Sequence, residues 1–245
     1  GFVEALRGDA DVIVKCDGDG QMDPRDILLL IEPLIEGRAE YAKACRFHHF
    51  TELRMMPRIR LLGNIMLTFL TKLVSGYWQI LDPQNGFVAV RSDILRRLPI
   101  ERIAKGYFFE NDMLIRLNCL EARVIDVALP ARYGNERSSL RPSRILLSFP
   151  IPLLVGLFRR VLSRYVFYDI SPVAVFLFFG SLLMLFGMVF GSYHWITNAM
   201  ANRVTPTGTV IVATLPIILG FQLLLQALVL DVQNSPRPAS ARPRR

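Results

Sequence analysis

Apolar positions in the first 142 residues come in short bursts between charged and turn-forming residues; beyond residue 143 they dominate the chain. The burst at 12–16, VIVKC, is short and rich in β-branched residues, which predicts a buried strand. Asp23 and Pro24 follow as an N-cap and a first-turn proline. Ile27, Leu28, Leu30, Ile31 and Leu34 then recur along a helix that Gly37 ends. Residues 41–45 read as the next strand. Strand–helix–strand is the unit of a parallel or mixed sheet covered by helices. The same reading places helical residues around Phe2, Val3, Ala5 and Leu6, a strongly apolar helix over 61–75 and a strand over 86–91. A helix over 92–98, a helix over 111–120 and a strand over 124–129 follow. The expected class is α/β.

Farther along, the pattern changes. Residues 145–168 mix Phe149, Leu153, Leu154, Leu157, Phe158, Leu162 and Phe167 with arginines, and Pro150 and Pro152 break the run. That mixture predicts helices lying in a membrane interface. Two charge-free apolar runs follow, 171–193 and 204–230, and each exceeds the roughly 20 residues that cross a bilayer as a helix. Helices buried in a soluble core are usually shorter and amphipathic. The chain thus divides into an α/β domain over 1–142, amphipathic juxtamembrane helices over 143–170, two transmembrane helices over 171–232 and a basic tail over 233–245. The Pro, Arg, Ser and Ala of the tail predict disorder.

Charge gives the hairpin a direction. The net charge is +8. Arg141, Arg144, Arg159, Arg160 and Arg164 precede the first span, Arg237, Arg242, Arg244 and Arg245 follow the second, and the connection holds only Arg203. The positive-inside rule then puts the α/β domain and both termini in the cytoplasm. Because the basic residues track the membrane boundary, no nucleic-acid partner is expected. Cys16, Cys45 and Cys119 show no CxxC spacing and no His/Cys cluster, which argues against a zinc-type site; free thiols fit a reducing cytoplasm. His48 and His49 read as a solvated loop. Gly180 and Gly187 would let another helix approach closely, so a homo-oligomer and a lipid-facing hairpin both stay open.

The candidate chemistry lies in KCDGDGQMDP, residues 15–24. Asp17 and Asp19 follow a buried strand, where ligands of open α/β folds bind. Two carboxylates two residues apart suit a hard divalent cation, Mg²⁺ or Mn²⁺, which completes its shell with substrate phosphates. A DxD pattern alone is also common in solvated turns.

Context separates the two. DADVIVKCDGDGQMDP resembles the DxD region of family 2 glycosyltransferases. SGYWQILDPQNGFVAVRSDIL (75–95) resembles the acceptor-side segment of the polyprenyl-phosphate sugar transferases in that family, the dolichyl-phosphate mannose synthase and undecaprenyl-phosphate glycosyltransferase group. GYFFENDMLIRL (106–117) is similar to their second acidic motif. LPARYGNERSSL (129–140) is similar to the loop that closes the active site. The resemblance implies a partial GT-A (Rossmann-like) nucleotide-sugar-binding domain followed by interfacial helices and two transmembrane helices. It implies inverting, metal-dependent transfer of a sugar from a GDP- or UDP-hexose to dolichyl or undecaprenyl phosphate. Asp17, Asp19 and Gln21 would bind the metal and diphosphate. Asp82 and Asp112 would be the catalytic carboxylates, and Gln84, Gly86, Glu110 and Asn111 would line the donor and sugar. For the acceptor phosphate, positive charge is needed beside an anionic donor, and arginine supplies it as a fixed fork of donors. Arg46, Arg54, Arg58, Arg60, Arg132 and Arg137 are the candidates. The resemblance also implies upstream strands carrying the base pocket, so the chain as given is expected to be a truncated, inactive part of its parent.

Two rival readings follow from the same residues. A processive polysaccharide synthase would carry QxxRW after the second acidic motif, and residues 113–145 hold none. A non-catalytic membrane scaffold would have no need of Asp17 and Asp19. A transporter would place ionisable residues within the predicted spans, which hold none.

Overall fold

The computed structural model describes residues 1–18, 20, 22–45, 58–129, 149–167 and 170–240, with the side chains at 58–62 and 64 outside that description. Its residues form two compact units, Gly1–Arg160 with Ser235–Arg245, and Val161–Asn234.

The first unit is built on one mixed sheet. Strands β1 (Val12–Lys15), β2 (Tyr41–Cys45), β3 (Val88–Arg91) and β4 (Val124–Ala128) lie in the order β1-β3-β2-β4. β3 runs antiparallel to β1 and β2, and β2 runs parallel to β4. Side chains alternate between the faces, as the pleat requires. Val12, Val14, Ala42, Ala44, Ala89, Ile125 and Val127 face α2 (Ile27–Ile35), which buries Leu30 and Leu34 against them. Ile13, Tyr41, Val88, Val90 and Val124 face the other way. They pack on Ile94 and Leu95 of α4 (Ser92–Arg97) and on Met113, Leu114 and Leu117 of α5 (Phe109–Cys119). The expected Asp23 cap forms: its carboxylate accepts from the Arg25 N–H at 3.0 Å and opens a 3₁₀ turn, Pro24–Asp26, that leads into α2. Gly37 then leaves the helix at φ +70°. A short α1 (Phe2–Ala5) begins the chain, and α3 (Arg58–Ser75) precedes the 82–86 turn.

Helix α6 (Pro150–Tyr165) begins within this unit. Phe149 and Leu153 pack with Val74 and Ile115. Arg160 donates from Nε to the Val74 carbonyl at 2.8 Å and from Nη2 to the Leu73 carbonyl at 3.1 Å. A guanidinium thus closes the C-terminal end of α3, where helix carbonyls lack partners. The tail, expected to be disordered from its composition, is hydrogen-bonded over part of its length. Ser235 Oγ donates to the Gly76 carbonyl at 2.7 Å, Gln79 Nε2 donates to the Pro236 carbonyl at 2.8 Å, and the Ala239 N–H donates to Arg38 O at 2.9 Å. These bonds run largely to backbone groups, so composition carries no trace of them. Residues 241–245 lie outside the described residues.

The second unit contains α7 (Pro172–Met200) and α8 (Thr207–Gln233). Both are long and apolar enough to cross a membrane, and helices of this length reach about 40 Å against a hydrocarbon core of about 30 Å. They pack closely on each other. A Cβ on Gly187 would lie 2.6 Å from the Ala213 carbonyl oxygen, and one on Gly220 would lie 2.7 Å from that of Gly180. The glycines that would admit a partner helix are therefore used within the hairpin. Both helices outrun the apolar runs that predicted them. The last turn of α8 carries Asp231, which is buried and accepts from Tyr165 Oη at 2.5 Å.

Candidate active site

Three predicted site residues from distant parts of the chain come together at the end of β1. Asp17 is half-exposed, and Lys15, the last residue of the strand, donates to its Oδ1 at 2.7 Å. The same ammonium reaches Glu110 Oε1 at 3.3 Å and the Gly86 carbonyl at 3.4 Å, and lies 5.3 Å from the centre of the Phe109 ring. Burial depresses the Lys15 pKa, but the Asp17 hydrogen bond and the Glu110 charge outweigh it, leaving the ammonium above the ordinary lysine value. Gly86 is the close neighbour of Asp17. A Cβ there would overlap Asp17 Oδ2 and lie 2.5 Å from its Cγ. Only a residue without a side chain allows the turn to approach the carboxylate this closely.

Beside this cluster lies a neutral one. Asn111 is fully buried, and its Oδ1 accepts from Thr71 Oγ1 at 2.8 Å and from Gln84 Nε2 at 2.9 Å. Gln84 and Asn111 were both expected on the sugar side, and the structure joins them to each other.

Asp82 and Asp112 have other partners. Asp82 is buried in the 82–86 turn, 3.4 Å from Asn85 Nδ2. Asp112, two residues after Glu110, accepts from Arg116 Nε at 2.9 Å, from Arg159 Nη1 at 3.1 Å and from the Ala104 N–H at 2.8 Å. It is 7% exposed, half the exposure of Glu110. A two-residue step on a helix turns the side chain by about 200°, which explains why one carboxylate of the FEND run meets Lys15 and the other meets the two arginines. Asp19, Gln21, Arg46, Arg54, Arg132 and Arg137 lie outside the described residues, as do the side chains of Arg58 and Arg60 on α3. Among the described residues no group of three or more His, Cys, Asp or Glu side chains is placed to hold a metal ion.

Two lysines of the site had no counterpart among the sequence candidates. β-ladder register sets Lys15 opposite Val88, Val88 opposite Lys43, and Lys43 opposite Asp126. One transverse row, Lys15–Val88–Lys43–Asp126, therefore crosses the sheet. Lys43 is fully buried and donates to the Asn85 carbonyl. Burial lowers its pKa to about 8, against the opposing pull of Asp82, Glu110 and Asp126. Asp126 is raised to about 6 by burial, although the Leu81 N–H bonds its Oδ2 at 2.5 Å. The available signal was a lysine inside each of two strands, VIVK and YAKAC, where a solvated strand face is absent.

No family model matches the chain. It is 31% identical over 151 residues, 62% of its length, to the UDP-N-acetylglucosamine–dolichyl-phosphate N-acetylglucosaminyltransferase of Methanococcus voltae, of which this covers 59%. It is 25% identical over 140 residues to an uncharacterized protein of Methanocaldococcus jannaschii, covering 57% of each. The chain spans less than two thirds of the length of these curated relatives. The chain is thus similar to a named glycosyltransferase, and its first unit rests on a mixed sheet covered by helices.

Proposed function

We propose that the protein transfers a sugar from a nucleotide-sugar donor to a polyprenyl phosphate held in the membrane, with inversion at the anomeric carbon. The observation that carries this reading is the meeting of Asp17, Gly86 and Glu110 around Lys15 in a homologue of a dolichyl-phosphate sugar transferase. Asp17 is an accessible carboxylate, the oxygen donor a hard divalent cation takes. Mg²⁺ or Mn²⁺ on Asp17, Asp19 and Gln21 would neutralise the leaving diphosphate.

The chain's own groups have the remaining tasks. The second pKa of a phosphate monoester is near 6, so the acceptor is largely dianionic at pH 7 and is already nucleophilic. Its oxygen forms the new bond to the anomeric carbon as the carbon–oxygen bond to the nucleoside diphosphate breaks. No proton has to be removed. Lys15 keeps positive charge at the donor side, and Gly86 leaves room beside Asp17. Arginines from 46–60 and from Arg132 and Arg137 are proposed to hold the acceptor phosphate in line. Two spans confine the enzyme to the surface that carries the lipid, which raises the effective concentration of both reactants. The arginine distribution supports a cytoplasmic active site, where nucleotide sugars are supplied.

The test is transfer by the full-length protein in membranes, with a panel of labelled UDP- and GDP-sugars that includes UDP-N-acetylglucosamine. Label entering an organic-extractable polyprenyl-phosphate product is the expected result. A folded protein that labels no lipid with any donor would overturn the reading.

A further inference from the structure

The buried lysine is expensive, and neither the cluster at Asp17 nor the core accounts for it. A lysine side chain placed fully inside a protein loses hydration that its partners must replace. The ammonium reaches the 82–86 turn, which is gripped at two points. Asp126 accepts from the Leu81 N–H at 2.5 Å, at the entry. Lys43 donates to the Asn85 carbonyl, at the exit. Immediately after that exit comes Gly86, pressed on Asp17, and within the turn lies Gln84, bonded to Asn111. The turn is thus the piece that relates the charged cluster to the neutral one.

We propose that Lys43 is a positioning residue of the transfer reaction: its buried ammonium holds the 82–86 turn so that Gly86 stands against Asp17 and Gln84 against Asn111. The inference rests on the function proposed above. It assigns to Lys43 no contact with donor or acceptor.

The charge state follows from the surroundings. Asp82 from the turn, Glu110 from α5 and Asp126 from β4 favour the ammonium, while burial and Lys15 from β1 oppose it. With the pKa lowered to about 8, Lys43 is protonated at pH 7 and loses its proton as pH rises through 8. A neutral amine still reaches the Asn85 carbonyl but no longer attracts the three carboxylates. The turn therefore loosens on the alkaline side.

The experiment combines hydrogen exchange with pH-dependent kinetics on the full-length protein in membranes or detergent, comparing wild type, Lys43→Met and Asp126→Asn. In Lys43→Met, amide protection at 85–87 is expected to fall at least about tenfold while β2 and β4 keep theirs. Its kcat is expected to fall about tenfold or more, since a shift near 1 Å in a reacting geometry has effects of that order. The acceptor KM is expected to stay unchanged. In wild type kcat should decline above about pH 8, and this limb should vanish in Lys43→Met. Asp126→Asn, which removes one negative charge facing Lys43, should move the limb to lower pH. Unchanged protection, an unchanged kcat, or an alkaline limb that persists in Lys43→Met would each overturn the inference. If Lys43→Met does not fold, an Asp126→Asn limb at the wild-type position overturns it instead. A wild type that transfers no sugar overturns the underlying function, a result distinct from a working wild type with an indifferent variant.

Discussion

Glu110 and Asp112 sit two residues apart on one helix and have opposite surroundings. Glu110 faces the Lys15 ammonium and, through it, the accessible Asp17. Asp112 is enclosed by Arg116, Arg159 and the Ala104 N–H. The first cluster has one cation for two carboxylates and opens to solvent. The second has two guanidiniums for one carboxylate and is shut. An open cluster with negative charge to spare can take up a cation or shape a charged substrate; a closed, fully bonded one holds elements together. Arg159 lies in α6 and Arg116 in α5, so Asp112 fastens α6 to the helix that carries Glu110.

The sharpest break of this comparison is the pair Glu110→Gln and Asp112→Asn. Glu110→Gln is expected to lower kcat/KM for sugar transfer by about 100-fold, with the Tm nearly unchanged, since electrostatic groups at a reacting centre have effects of that size. Asp112→Asn leaves Arg116 buried with its charge uncompensated and should destabilise the unit by about 3 kcal/mol, read as a lower denaturation midpoint. Its turnover per folded molecule should stay within about threefold of wild type. The reverse pattern would exchange the two roles. Next in size comes Gly86→Ala. The added methyl must push Asp17 aside, so transfer should fall about tenfold, with a loss of cation affinity measurable by titrating Mn²⁺ into the protein without donor. Unchanged Mn²⁺ binding and rate would show that the turn yields. The smallest effect belongs to the second unit, where Tyr165→Phe removes one hydrogen bond from Asp231 and should cost about 1 to 2 kcal/mol, seen as easier thermal unfolding with transfer unaffected.

Sequence reading reached some of this and missed the rest for physical reasons. The strand–turn–capped-helix pattern around Asp17 was legible because periodicity, an N-cap and proline act locally. The two long apolar helices were legible because an unbroken charge-free run of that length is visible in the sequence itself. Which carboxylate of FEND meets Lys15 was not, since the motif names both and only the docking of α5 on the sheet chooses between them. The row Lys15–Val88–Lys43–Asp126 was also hidden. It requires β3 to enter between β1 and β2, and strand order is set by the whole sheet rather than by any one strand. The glycines of the hairpin left a partner and a lipid face both open because sequence alone does not say which helix fills the space they leave.

The most direct test of the central claim is the rate of sugar transfer to polyprenyl phosphate by Asp17→Asn beside wild type in the same membranes. Asp17 stands at the open cluster, touching Lys15 and pressed by Gly86. The account predicts a loss of about 100-fold or more, with the variant as folded as wild type. Near-normal transfer by Asp17→Asn would contradict it and place the chemistry outside the cluster.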